Sequence, residues 1–133
     1  MDVLENKSLE MISVVTEKLD QEIWYSGIYR DHKMTKQVFL AHIETVFQSH
    51  RTIPSVILGD FNSYDENNMF NSQLNALANK YGFIETVRQG TTVNDHLLDQ
   101  IYVTDTKQYD LMKMVVLPSY FSDHNLVILC LKN

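Results

Sequence analysis

The sequence predicts an α/β layered fold, and three observations carry that expectation. Several short runs are apolar throughout rather than alternating, the pattern of strands covered on both faces. Two longer segments repeat apolar residues at helical spacing. Strand-like and helix-like segments are also mixed along the chain, so neither type forms a separate block.

The elements follow in order. Met11 to Val15 and Ile23 to Tyr29 are rich in β-branched and aromatic residues and read as two strands, joined by a polar hairpin connection over Thr16 to Glu22. From Thr35 to Gln48, the apolar positions Phe39, Leu40, Ile43, Val46 and Phe47 make one face of a helix. Pro54 to Phe61 reads as a short buried strand. A second helix carries Phe70, Leu74, Leu77 and Tyr81 in phase, with Gly82 placed to end it. Phe83 to Val87, Leu97 to Val103, Met112 to Leu117 and Leu126 to Leu131 complete the set as strands.

The 133 residues, with no internal repeat, low-complexity tract or Pro/Gly linker, fit a single domain or part of one. A hydrophobic content of 44% and a charged content of 21% are ordinary for a globular protein. No run reaches the roughly 18 consecutive apolar residues that a membrane helix needs, so no membrane partner is expected. The first residues lack the basic start and apolar block of a signal peptide. Cys130 is the one cysteine and can form no internal disulfide, which points to a reducing, intracellular setting, nuclear or cytoplasmic. With 17 acidic against 11 basic residues, the net charge of −6 gives no basic excess of the kind that drives phosphate-backbone binding. Clustered carboxylates suit divalent cations instead, although a solvated acidic surface explains the balance equally well.

Three polar clusters sit at the ends of apolar strands. Asp60 and Asn62 flank Phe61 just after Val56-Ile-Leu58, and residues two apart in extended chain point the same way, so both can address one cavity. Gly59 permits a sharp turn or close backbone approach; a plain turn explains the same residues. Asp99 lies within the apolar run Leu97 to Val103, where a buried carboxylate requires a donor. The imidazole of His124 is the attractive one, unless Asp99 faces solvent on an edge strand. Asp123 and His124 precede the run Leu126 to Leu131. A carboxylate-oriented imidazole is the standard general-base arrangement. Asp99 would orient His124, leaving Asp123 for a metal; a cap or turn is the competing explanation. Ligand sites in open α/β sheets lie at such strand ends.

Three segments, "ILGDFNS" (Ile57 to Ser63), "LLDQIYVT" (Leu97 to Thr104) and "SDHNLVILCL" (Ser122 to Leu131), resemble in order and spacing the last three signature segments of the endonuclease/exonuclease/phosphatase superfamily. Gly27-Ile28-Tyr29-Arg30 resembles the segment before them, and the resemblance is nearest to endonuclease domains of LINE-type retroelements and related mobile elements. It implies a two-sheet α/β sandwich flanked by helices and Mg²⁺- or Mn²⁺-dependent cleavage of phosphoester bonds, most simply of DNA. By the same resemblance, His124 would be the general base, Asp99 its orienter, and Asp123 part of the metal site. Asp60 would align the water, Asn62 would stabilise the transition state, and Tyr29 would touch the scissile phosphate.

The family's first strand, with its asparagine, and the glutamate that is its principal metal ligand have no counterpart here. The expectation is therefore a partial domain, residues 1–133 with the N-terminal half missing and metal binding weak or absent. Uncovered sheet edges would then favour a protein partner or self-association. Two other functions stand beside DNA cleavage: a non-catalytic remnant or partner-binding module, and hydrolysis of small or lipid phosphates. Lesser signals point to structure. His32, His42 and His50 are too widely spaced for a helical zinc pair. Trp24, Tyr25 and Tyr29 read as packing more readily than as a stacking platform for bases. Ser122 lacks the nucleophile-elbow context.

Overall fold

The computed structural model describes residues 10–18, 21–31, 33–63, 69–87, 90–92, 96–104, 110–117, 124 and 126–132. Its elements are β1 (Glu10–Lys18), β2 (Gln21–Tyr29), α1 (Lys36–His50), β3 (Ser55–Asp60), α2 (Met69–Lys80), β4 (Phe83–Glu85), β5 (Asp99–Thr104), β6 (Asp110–Leu117) and β7 (Leu126–Lys132). The first five strands form one mixed sheet in the order β1-β2-β3-β5-β4, and β6 and β7 form a second sheet. In the first, β2 and β3 run parallel while every other neighbouring pair is antiparallel. This is an α/β fold with two sheets, as expected.

Element boundaries shift in ways that have local causes. β1 and β2 pair through all nine residues, so the polar positions expected in the connection are in the ladder, Thr16 opposite Ile23 and Glu17 opposite Glu22. Main-chain pairing in an antiparallel ladder uses N–H and C=O groups that every non-proline residue carries, whatever its side chain. β5 begins at Asp99 rather than Leu97, and β4 stops at Glu85, after which both the N–H and the hydroxyl of Thr86 donate to the Ile101 carbonyl.

Both helices start and stop for visible reasons. The Thr35 hydroxyl accepts from the Val38 N–H at 3.2 Å and caps α1. Past the end of α2, Gly82 adopts φ +79°, the left-handed conformation that glycine takes at a helix C′ position. α1 buries Phe39, Ile43, Val46 and Phe47, and α2 buries Phe70, Leu74 and Ala78. These meet Ile28, Ile57, Phe83 and Tyr102 in one core cluster, which puts both helices on one sheet face. Burial of each such aromatic contributes about 1.5–3 kcal/mol. The Tyr102 hydroxyl, its pKa pushed up by burial, donates to Asn75 Oδ1 at 2.7 Å.

The alternate residues of the same strands, Ile23, Val56, Ile101 and Val103, form a second cluster with Val87 on the opposite face. Asp60 and Asp99 belong to that face by the same alternation. Trp24 packs edge-on against His50 at 6.0 Å between ring centroids, which is packing rather than a platform shared with Tyr29. Among the described residues, no helix is long and apolar enough to cross a membrane.

Candidate active site

The site is built by strand register. β3 and β5 pair so that Asp60 stands directly opposite Asp99 at the end of the ladder. Two carboxylates opposite each other repel, and a hydrogen-bond donor between them relieves part of that repulsion. His124 fills that role. Its Nδ1 donates to Asp99 Oδ2 at 2.8 Å, and its Nε2 lies 3.5 Å from Asp60 Oδ2. The three side chains are each between one fifth and one third exposed, so the cluster is sheltered yet reachable. His124 is carried to the cluster by an antiparallel bridge with Thr92.

The electrostatics follow from this crowding. Burial pushes the Asp60 pKa upward, and the Asp99 charge adds to the effect. The Asn62 N–H, His124 and Arg30 oppose it. Because Asp99 accepts at Nδ1, the second ring nitrogen of His124 faces Asp60. It either carries a proton toward that carboxylate or shares with it a species that binds both.

The strand-to-loop turn is held by residues whose importance no local pattern reveals. Arg30, 5% exposed, donates to three backbone carbonyls, Nε to Phe61 and the two terminal nitrogens to Met34 and Asn62, each at 2.6 Å. Its guanidinium also lies over the Phe70 ring. Asn62 reciprocates, Nδ2 donating to the Arg30 carbonyl at 2.6 Å. The Asn62 backbone has φ +46°, a conformation asparagine tolerates better than most residues. Its N–H donates to Asp60 Oδ1 at 2.9 Å and so orients that carboxylate. On the other side, the fully buried Thr91 hydroxyl accepts from the N–H groups of Leu98 and Asp99 and fixes the start of β5. Ser63, also buried, donates to the Leu97 carbonyl.

Gly59 is required by close approach. A Cβ there would sit 1.7 Å from the Ile28 carbonyl oxygen, and the residue adopts φ +151°.

Of the residues singled out in the sequence, Asp60, Asp99 and His124 meet. Asn62 is adjacent, with its side-chain nitrogen engaged by the Arg30 carbonyl. Tyr29 is opposite Asp60 in the parallel β2–β3 register, and is 42% exposed. Asp123, Ser122 and His32 lie outside the described residues. Thr91 and Thr92 were not anticipated, and Arg30 was named only as part of the segment Gly27 to Arg30, with no role of its own. The one available signal was a buried-looking arginine directly after an apolar strand, since such a charge needs several acceptors.

Neither a family model nor a curated protein matches this sequence. Solved structures do. The endonuclease domain of TRAS1, a telomere-specific non-LTR retrotransposon, superposes with a TM-score of 0.72 at 17% identity, over 90% of this chain and 60% of that one. An endonuclease/exonuclease/phosphatase family protein from Leptotrichia buccalis gives 0.65 at 13% identity, over 92% and 54%. A mannosyl-6-phosphatase from Bacteroides thetaiotaomicron gives 0.57 at 17% identity, over 85% and 52%. The chain thus spans between half and three fifths of the length of these structures, and what they share with it is the fold.

Proposed function

We propose that this chain, which has the fold of the endonuclease/exonuclease/phosphatase superfamily, carries part of the machinery of a divalent-metal-dependent phosphodiesterase acting on DNA. The observation that carries the reading is the line of Asp99, His124 and Asp60. Asp99 holds the imidazole at Nδ1, which leaves Nε2 as the basic atom, 3.5 Å from Asp60 Oδ2. In this reading, Nε2 takes a proton from a water that Asp60 helps to align, and Asp99 stabilises the imidazolium that results. Asp60 is suited to receive and orient that water because its other oxygen is fixed by the Asn62 N–H. Tyr29, exposed and opposite Asp60 in the register, is the residue proposed to touch the phosphate. Asn62 supports the turn and, in the resemblance, the transition state.

The donor set fits a hard divalent cation. Asp60, Asp99 and His124 offer ligand atoms within 4.8 Å of one another, and carboxylate oxygens are what Mg²⁺ and Mn²⁺ prefer. With the imidazole engaged by Asp99, the oxygens of Asp60, and of Asp123 beside His124, are the groups proposed to hold the ion. A site with so few carboxylates keeps much of the ion's water and binds weakly. Such an ion, when bound, offsets negative charge on the phosphoryl oxygens.

The alternative of small phosphates as substrate is favoured by the net charge of −6 and by the likeness to a sugar phosphatase. One assay separates the readings. Supercoiled plasmid is incubated with the chain and Mg²⁺ or Mn²⁺, beside His124→Ala and a chelator control, with p-nitrophenyl phosphate in parallel. Nicking that needs both the metal and His124 is expected. Turnover of the small ester alone would move the substrate assignment. Inactivity of a folded chain toward both would favour a non-catalytic module.

A further inference from the structure

Contact between Asp99 and His124 at 2.8 Å requires two main chains, 25 positions apart in sequence, to share one reference. Asp99 is the first residue of β5, and His124 stands ahead of β7. β4 pairs only with Tyr102 to Thr104, and the Thr86 N–H reaches the Ile101 carbonyl, so Asp99 lies beyond that ladder. The fully buried Thr91 hydroxyl takes its place. It accepts from the N–H groups of Leu98 at 3.2 Å and Asp99 at 3.1 Å, and donates to the His96 carbonyl at 3.4 Å. A hydroxyl has one proton to give and two lone pairs, and Thr91 uses all three. Its neighbour Thr92 pairs with His124 through an antiparallel bridge. The Thr91 N–H also donates to the His96 carbonyl, and the Thr92 hydroxyl accepts from the His96 N–H, which ties both threonines to the approach to β5.

We propose that Thr91 is a positioning residue of the candidate site. Through the Asp99 main chain it sets the Asp99–His124 contact, and with it the imidazole tautomer that leaves Nε2 basic. The inference rests on the reading of Nε2 as the base in the proposed function. One threonine holds Asp99 and the next holds His124, so a single peptide unit carries the spacing between acid and imidazole. Peptide units are planar and stiff, which makes that spacing hard to change. Hydrogen bonds weaken steeply as their angle and distance depart from the optimum. An imidazole released from its carboxylate can put its proton on either nitrogen, and a proton on Nε2 leaves no base toward Asp60. Asp60 is oriented from its own side by the Asn62 N–H, so loss of the Thr91 hydroxyl acts on the Asp99–His124 pair.

Two-bond proton–nitrogen NMR correlations of the imidazole test this on the whole chain, at a pH above the ordinary histidine range, where the ring is neutral. His124→Ala identifies the His124 signals among those of the five histidines. The parent and Thr91→Ser, which keeps the hydroxyl, are expected to show the proton on Nδ1. Thr91→Val, of the same shape without the hydroxyl, is expected to lose that signature and populate both tautomers. Tyr102→Phe removes the hydrogen bond to Asn75 from the same strand and is expected to retain the signature, which separates positioning from a general loosening of β5. Should Thr91→Val fail to fold, Thr91→Cys, whose thiol is a weak acceptor, is expected to show a partial loss. In plasmid nicking, Thr91→Val should be roughly tenfold slower than Thr91→Ser. A proton that stays on Nδ1 in Thr91→Val, leaves it in Tyr102→Phe, or is not kept there by Thr91→Ser would overturn the inference. The NMR signature needs neither metal nor substrate, so an inactive chain with the expected signatures would overturn the function alone. A parent without the Nδ1 proton would overturn both.

Discussion

Arg30→Met removes the clamp on the Asp60–Asn62 turn while keeping an unbranched side chain in its place. Arg30 makes three charge-assisted bonds to carbonyls, one fully buried at Phe61 and two partly buried at Met34 and Asn62. Such bonds contribute about 1.5–3 kcal/mol each, so the low end for three is ~4.5 kcal/mol. Part of this returns, because desolvation lowers the Arg30 pKa and so measures a cost the methionine does not carry. Water can also reach the two outer carbonyls. A net loss of about 3 kcal/mol remains, equivalent to a fall of roughly 10 °C in Tm for a chain of this size. Urea and thermal unfolding followed by circular dichroism would read it. Arg30→Lys should recover less than half, since an ammonium lacks the planar fork that reaches carbonyls on two segments at once. A Tm for Arg30→Met within about 2 °C of the parent would refute the reasoning and mean that the turn holds itself.

Two further outcomes follow from the same site. Gly59→Ala should destabilise by about 3 kcal/mol or more, because the new methyl meets the rigid Ile28 carbonyl rather than a movable side chain; a urea midpoint unchanged from the parent would contradict it. Asp60→Asn should raise Tm near neutral pH. The folded-state pKa of Asp60 is raised, so its contribution is favourable only below the unfolded value and is lost as pH rises through the folded one. Its ionised form is therefore the costly one, and the gain should vanish in acid; a Tm that falls at pH 7 would show that its hydrogen bonds outweigh the crowding.

What the sequence revealed and what it concealed divide by distance along the chain. The α1 face of Phe39, Ile43, Val46 and Phe47 was legible because a helix repeats locally. That Asp99 needs a donor was legible from the cost of a carboxylate in an apolar run, with His124 as the attractive candidate, and the two do meet. The opposition of Asp60 and Asp99 was not, since it depends on the β3–β5 register, 39 positions apart. Arg30 was hidden for the same reason: its acceptors lie mainly on a segment about thirty residues away. The length of β1 and β2 was underread because polar residues near a hairpin pair as readily as apolar ones. The Asp123 expectation falls outside the described residues.

The β3–β5 ladder also acts as a proofreader of assembly. Its rungs alternate between the two sheet faces, so moving β3 by one position would carry Asp60 to the side where Ile57 and Tyr102 are buried and turn Ile57 away from the helices. Such a chain would strand a carboxylate in its interior and forfeit its core in the same step. Misaligned copies are therefore eliminated by instability before they can display a faulty acidic pair. Any substitution that tolerates slippage of these two strands endangers folding and chemistry as one property.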